Sequence, residues 1–279
     1  MSRDLLSYFG LTYLITWLFT IPFVVLWRTS LHQTLPWWVV VFLPGAFGPS
    51  IAALILAGRR GGRPAVAELL RSLLRWRVPI FLYVAVLLTP PAMTAVATLL
   101  SSYHVRWAQA ALVPGLSAVP GAYALALPFG PLPEELGWRG YALPRLLREH
   151  GVFLASVILG VGWTFWHTPM FWFPGAAIPS VFELSFSSVL LYLVQMVAEA
   201  CLFTITYLLS GGSVLLAVLQ HVAFNTSEAV LFGFIPEPSA EHKRQIYLLN
   251  TLVMWFVALV ALGWWAWRTG RTGRAASRA

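Results

Sequence analysis

Long apolar runs with almost no charged residues are the feature that most limits how this chain can fold. Of its 279 residues, 59% are hydrophobic and only 10% are charged. A helix needs about 20 apolar residues to cross the hydrocarbon core of a bilayer, and ordinary soluble domains do not repeat such runs. The sequence therefore predicts an all-α fold, a polytopic transmembrane helical bundle.

About eight stretches are long and apolar enough to span a membrane. They cover residues 6–27, 37–57, 78–100, 116–147, 152–173, 184–209, 214–234 and 247–267. The fourth contains Pro128, Pro131 and Pro133, which predict a kink or a restarted helix because proline lacks the backbone N–H. Residues 65–76, between the second and third spans, mix leucine with arginine in an amphipathic pattern and are predicted to lie on the membrane surface.

The basic residues are unevenly shared between the two sides of this predicted bundle. Most of the 18 Lys and Arg residues fall at the N-terminus, in the 58–77 loop, after the fourth span and in the C-terminal tail. The positive-inside rule then places both termini in the cytosol, in a multi-pass protein of the cell membrane. The same topology explains the net charge of +8, so nucleic acid is not a predicted partner and membrane lipid is.

The polar residues divide the chain further. Residues 1–115 hold spans 1–3 with the basic interfacial loop, residues 116–267 hold spans 4–8 with the polar positions, and residues 268–279 are predicted to be a disordered basic tail. Ionisable residues inside a span are costly and usually mark function. The candidates in spans 4–7 are Glu134, Glu135, Arg139, His167, Gln195, Glu199, His221, Asn225 and Glu228.

Spacing predicts which of these side chains lie together. Glu135 and Arg139 are separated by four residues with the acid first, the favoured order for a helical ion pair. His221 and Asn225 have the same separation and share one helix face. Glu134 is rotated by about 100° from its neighbour, so it faces elsewhere and is left without that partner.

Depth can be predicted in the same way. If spans 4 and 5 form a hairpin that turns near residue 150, Glu134 and His167 lie at equal depth, about 25 Å from the turn at about 1.5 Å per residue. Gly160 and Gly162 would let these two helices approach closely. The histidine and asparagine of span 7, counted from the turn at residues 210–213, reach a similar depth.

Each of these features also has a structural explanation. Pro133, Glu134 and Glu135 are typical of the first turn of any helix. A histidine or asparagine in a span can be a hydrogen-bonded packing residue, and Gln195 with Glu199 can be a structural pair or a cavity lining. The aromatic residues of span 5 are expected to face lipid or the core. The functional interpretation is favoured because four polar groups reach compatible depths.

Intramembrane hydrolysis is the chemistry that fits this set. Aspartyl proteases need two aspartates within the spans, whereas this chain has only Asp4, and neither HExxH nor Gly-x-Ser-x-Gly occurs. A carboxylate removed from water is an effective general base. Glu134 could then activate a water molecule that His167 holds, while His221 and Asn225 donate hydrogen bonds to the oxyanion.

Three motifs resemble those of the CPBP family, the CAAX-protease and bacteriocin-processing intramembrane endopeptidases, which include the eukaryotic prenyl-protein endoprotease. The family motifs are EExxxR, FxxxH and HxxxN. The chain has, in this order, Glu134-Glu135-Leu-Gly-Trp-Arg139, Trp163-Thr-Phe-Trp-His167 and His221-Val-Ala-Phe-Asn225. The resemblance covers roughly residues 115–235. Trp163 stands where the motif usually has phenylalanine, and we interpret this departure as a packing difference.

The resemblance implies an endopeptidase that cuts a peptide bond with a glutamate-activated water near the cytosolic membrane face. Its substrates would be peptides or proteins, membrane-anchored or lipidated ones included. Glu135 and Arg139 would support the catalytic residues Glu134, His167, His221 and Asn225.

No cofactor is favoured by this set. Zinc is the alternative, with His167, His221 and Glu134 as ligands, but the base would then also be a ligand, and Asn225 suits zinc poorly.

Two further hypotheses stay open at this point. One is a non-catalytic membrane scaffold or immunity-type peptide-binding protein. The other is a small-solute transporter, although the sequence shows no repeat symmetry between its halves.

Overall fold

All regular elements of the described chain are helical. The computed structural model describes residues 1–27, 44–103, 112–173, 181–234, 236 and 238–276, and no strand occurs in them, which confirms the all-α prediction. The α-helices are α1 (Arg3–Trp27), α2 (Gly48–Leu73), α3 (Ile80–Leu100), α4 (Leu112–Ala126), α5 (Pro131–Glu135), α6 (Leu143–Glu149), α7 (Val152–Trp166), α8 (Phe186–Leu209), α9 (Val214–Phe234) and α10 (Ala240–Ala276).

Several helices have the length and composition of membrane spans. Among the described residues, four qualify: Arg3–Trp27, Ile80–Leu100, Phe186–Leu209 and Ala240–Gly270, and Val119–Phe129 and Val152–Trp166 are shorter apolar helices. The chain is thus a multi-pass membrane protein. The count of eight spans, the cytosolic position of both termini and the three-part division of the chain remain predictions.

The second predicted span and the predicted surface helix are joined in the structure. Residues 28–43 lie outside the described part of the chain, so the beginning of the predicted span 37–57 is not seen. α2 begins at Gly48 and continues through the basic segment to Leu73, with a break at Gly62, whose φ of 61° is readily adopted by glycine. The surface helix predicted for 65–76 is therefore the second half of a kinked helix and ends three residues early.

The fourth predicted span is divided into several short pieces, as its prolines predict. α4 is followed by a 3₁₀ turn at Leu127–Phe129, then by α5, a π-helical segment at Leu136–Ala142 and finally α6. Gly130 separates the 3₁₀ turn from α5. π-helical segments are rare and often occur at functional sites. This broken region carries both candidate glutamates.

The predicted hairpin between the fourth and fifth spans is present, since α6 packs against α7. The role predicted for its glycines is wrong, however. A Cβ atom on Gly160 would lie 2.7 Å from Cα of Val197, so this glycine brings α7 close to α8. Gly162 faces the ring of Phe9 on α1. The two glycines thus seat α7 between α1 and α8, because a side chain at either position would collide with them.

The last helix is longer than predicted. α10 begins at Ala240, before the predicted span, and ends at Ala276, inside the segment predicted to be a disordered tail. It packs against α8 and α3, while α9 packs against α3, α4 and α5. The late helices therefore surround the broken fourth span, and the polar residues of the sequence lie between them.

Candidate active site

α5 carries the first two candidate residues into the core. Glu134 is 4% exposed and Glu135 is fully buried. Ser50 of α2 donates a hydrogen bond of 2.5 Å to the carbonyl oxygen of Pro133, which fixes the short helix from one side. Nothing in the local sequence around Ser50 indicates a partner that lies far along the chain.

The predicted ion pair is present, and it has a third member. Nη1 of Arg139 lies 2.7 Å from Oε1 of Glu135, and both side chains are fully buried. Nδ1 of His221 also lies 2.7 Å from the same carboxylate oxygen. One oxygen therefore accepts from two donors on two different elements. Because a carboxylate can only accept, Nδ1 of His221 carries the proton, and Nε2 is the nitrogen directed at other groups.

Arg139 is enclosed by aromatic rings. Its guanidinium carbon lies 4.2 Å from the ring centre of Trp163 and 3.8 Å from that of Phe203. A cation over aromatic faces is stabilised most when it is removed from water, as here. The rings therefore offset part of the cost of burying the guanidinium, and they hold it beside Glu135.

Glu134 has a different partner from its neighbour, as the helical geometry predicts. Its Oε2 accepts a hydrogen bond of 2.8 Å from the indole Nε1 of Trp163, which is only 1% exposed. The interpretation of Trp163 from the sequence as a packing difference alone is incomplete. A phenylalanine at the same place would pack similarly but could not donate a hydrogen bond.

His167 lies at the end of α7, where it caps the helix. Its Nδ1 donates to the carbonyl oxygen of Trp163 at 2.9 Å, and its ring packs edge-on against Trp166 and Tyr192. Since the carbonyl oxygen accepts only, a neutral ring keeps Nε2 as an acceptor. Pro169 in the following 3₁₀ turn lacks a backbone N–H and disfavours the α conformation at Thr168, which favours the end of α7 here.

All four predicted site residues line one cavity of about 520 Å³. These residues are Glu134, His167, His221 and Asn225. The sequence prediction that they come together is confirmed, while their depth in the bilayer remains a prediction. Gln195, Glu199 and Glu228 line the same cavity. Gln195 donates to Glu199 at 3.1 Å, so the two expectations for this pair, a structural contact and a cavity lining, both hold.

Gly130 marks the point where the polar groups converge. A Cβ atom placed on Gly130 would lie 3.1 Å from Oε1 of Glu134, 3.4 Å from Nδ2 of Asn225 and 3.9 Å from Nε2 of His221. A carboxylate oxygen, an amide N–H and an imidazole nitrogen thus converge on one small volume beside Gly130, which carries no side chain to obstruct it.

The zinc set named from the sequence is not assembled in the described part of the chain. No three His, Cys, Asp or Glu side chains among these residues come together as metal ligands, the trio His167, His221 and Glu134 included.

The fold and the cavity define a class of protein, a helical multi-pass membrane protein whose cavity is lined by a buried glutamate, two histidines and an asparagine. Comparisons with known proteins show which proteins it is similar to. Residues 114–227 match the family model described as type II CAAX prenyl endopeptidase Rce1-like. The chain is also 25% identical over 230 residues to CAAX prenyl protease 2 of the archaeon Methanococcus maripaludis, with 80% of this chain and 83% of that protein covered.

The chain is therefore similar to the Rce1-like CAAX proteases, which confirms the resemblance found in the sequence. The matched residues contain all three motifs. This similarity supports the function of an intramembrane endopeptidase that acts on a peptide or protein substrate.

Proposed function

We propose that this protein hydrolyses a peptide bond within the membrane with a water molecule activated by Glu134. The observation that carries the proposal is the convergence of Oε1 of Glu134, Nδ2 of Asn225 and Nε2 of His221 beside Gly130. Hydrolysis of an amide needs a base next to the attacking water and hydrogen-bond donors next to the carbonyl oxygen. The convergence supplies both within one small volume.

The base side of the reaction belongs to Glu134 and His167. Oε1 of Glu134 removes a proton from water as the water oxygen bonds to the carbonyl carbon of the substrate. Nε2 of His167 accepts a hydrogen bond from the same water and so holds it in place. When the C–N bond breaks, the proton held by Glu134 passes to the leaving nitrogen with the assistance of His167, so that a carboxylic acid and an amine are formed.

The oxyanion side belongs to Asn225 and His221. The amide N–H of Asn225 donates directly. Nδ1–H of His221 is already donated to Glu135, so Nε2 can donate only if the ring carries a second proton. In the proposed active form His221 is an imidazolium. Two carboxylates, Glu134 and Glu135, then face two cations, His221 and Arg139, and the charges balance.

Glu135 and Arg139 support this arrangement without contacting the substrate. Their pair keeps α5 in register with the π-helical segment, and Glu135 also orients the ring of His221 by accepting from its Nδ1–H. Substrates are proposed to be peptides or proteins that reach the cavity from the membrane, membrane-anchored or lipidated ones included. We further propose that the protein resides in the cell membrane with both termini in the cytosol, and that the reaction needs no metal.

The proposal is tested with Glu134→Gln in the full chain purified in detergent. Glutamine keeps the shape and still accepts from Trp163, but it cannot take up the proton of water. Cleavage of a fluorogenic prenylated CAAX peptide should fall by about 10³-fold or more, because a general base contributes about 10²–10⁴-fold and its loss also leaves the water unpositioned.

Glu68→Gln is the matched control, since Glu68 is an exposed carboxylate on α2. It should cleave at the wild-type rate. Undiminished cleavage by the Glu134 variant would refute the proposed role of this residue. A wild-type chain that binds the peptide but never cleaves it would favour the peptide-binding scaffold instead.

A further inference from the structure

Trp163 contacts more of the proposed site than any packing role requires. Its indole N–H donates to Oε2 of Glu134, and its backbone carbonyl oxygen accepts from Nδ1 of His167. Its ring meets the ring of His221 edge-on with 5.2 Å between centroids, and the guanidinium of Arg139 lies over its face. One residue thus touches the proposed base, the water-holding histidine and the oxyanion side.

The indole is itself held firmly in place. It is 1% exposed, and Phe203 packs against it edge-on at 5.8 Å between ring centroids. The donated hydrogen bond is therefore directed by a ring that has little freedom to move. A hydrogen bond to a charged carboxylate is shorter and stronger than one between neutral groups, so it can fix the rotation of the glutamate side chain.

That rotation decides which carboxylate oxygen is available. With Oε2 bonded to Trp163, Oε1 is the oxygen that faces the volume beside Gly130, where Asn225 and His221 converge. We infer that Trp163 is a positioning residue whose indole N–H holds Glu134 so that Oε1 is aimed at the reacting water. The inference rests on the proposed function, because it acts through the same carboxylate.

Trp163 replaces the phenylalanine of the FxxxH motif, and the hydrogen bond to Glu134 is the physical consequence of this difference. Phenylalanine, the usual residue at this place in the motif, offers a ring of similar shape but no N–H. Glu134 in such a site would keep its burial and its neighbours and lose its only protein donor among the hydrogen bonds described here. Trp163→Phe therefore removes the bond while it preserves most of the packing.

The test compares Trp163→Phe with Trp138→Phe in the full-length chain. Trp138 is a matched control because it is fully buried and because its indole N–H has no hydrogen-bond partner within the described part of the chain. Both substitutions remove the same atoms from the core, so both should lower the thermal stability of the detergent-purified protein. Only the first removes a bond to Glu134.

For Trp163→Phe we expect kcat on the fluorogenic peptide to fall about 10- to 100-fold, with KM within about twofold of the wild type, because the bond aids the chemical step and not the binding of substrate. Trp138→Phe should keep the wild-type kcat. A wild-type kcat for Trp163→Phe would overturn the inference, and so would an equal loss in both variants.

A second measurement leaves Trp163 unchanged, and it serves if the Trp163 variant does not fold. Infrared difference spectra between the wild type and Glu134→Ala should show that one hydrogen-bonded indole N–H becomes free. An unchanged indole N–H band would overturn the inference. Cleavage of the fluorogenic peptide by the wild type tests the proposed function separately. Failure of the proposed function and failure of the inference on Trp163 therefore give different results.

Discussion

Replacement of Gly130 by alanine is the most direct test of where the reaction takes place. The new methyl carbon would lie 3.1 Å from Oε1 of Glu134 and 3.4 Å from Nδ2 of Asn225. A water or carbonyl oxygen that hydrogen-bonds to both groups must sit about 2.7–3.2 Å from each. The methyl group would therefore press on the carboxylate and the amide and obstruct the approach of the reacting atoms to both.

The magnitude follows from what the methyl group removes. A positioned general base contributes about 10²–10⁴-fold, and one oxyanion donor about 10²–10³-fold. Gly130→Ala separates the reacting atoms from both, so kcat/KM should fall by at least about 10²-fold. The loss of stability should be on the order of 1 kcal/mol, because alanine is a poorer N-cap than glycine.

The assay is hydrolysis of the fluorogenic peptide by the purified full chain, with thermal unfolding measured in parallel. Gly151→Ala is the matched control. Gly151 is also the N-cap of a helix, α7, and a Cβ atom there meets nothing within 4 Å. This variant should retain full activity. Gly130→Ala with wild-type kcat/KM would refute the reasoning, since substrate and water would then react elsewhere in the cavity.

Two further predictions concern the buried charges and the metal. Glu135→Ala leaves Arg139 buried without its carboxylate and removes the partner of Nδ1 of His221. The free energy of unfolding, measured by chemical denaturation in detergent, should therefore fall by about 3–5 kcal/mol. A change below about 1 kcal/mol would contradict the buried pair. Because the proposed steps use only side chains, chelators should leave kcat/KM unchanged, and metal analysis of the active protein should find less than stoichiometric zinc. Activity that is lost to a chelator and restored by zinc would refute the metal-free mechanism.

The sequence predicts the fold class and the assembly of the site because both depend on short-range rules. Hydropathy sets the length of the helices, and the i,i+4 spacing places Arg139 on Glu135. Proline chemistry predicts the break in the fourth span, since three prolines within six residues remove backbone N–H donors from the helical ladder. The meeting of Glu134 with the residues of span 7 follows from depth counted along antiparallel helices.

The contacts that the sequence does not predict are those between distant segments. Nothing in the local pattern indicates that His221 pairs with Glu135 or that Trp163 donates to Glu134, because each bond depends on how the helices rotate about their axes. The misassigned role of Gly160 and Gly162 has the same origin. Small residues predict a close approach between helices but not which neighbour approaches.

The charges of the site explain why two adjacent glutamates occur in so apolar a chain. A buried carboxylate needs partners, and Glu135 satisfies two, Arg139 and His221, through a single oxygen. Both groups are thereby held within reach of Glu134, which needs no ion pair of its own and keeps one oxygen directed at the cavity. If the two glutamates were one, the same carboxylate would have to anchor both groups and take the proton of the water, and each hydrogen bond that it accepted from them would weaken it as a base. The separate roles of Glu134 and Glu135 therefore follow from the cost of burying charge. They predict that a variant in which Glu134 pairs with Arg139 and His221, and Glu135 with Trp163, does not cleave the peptide even where it still folds.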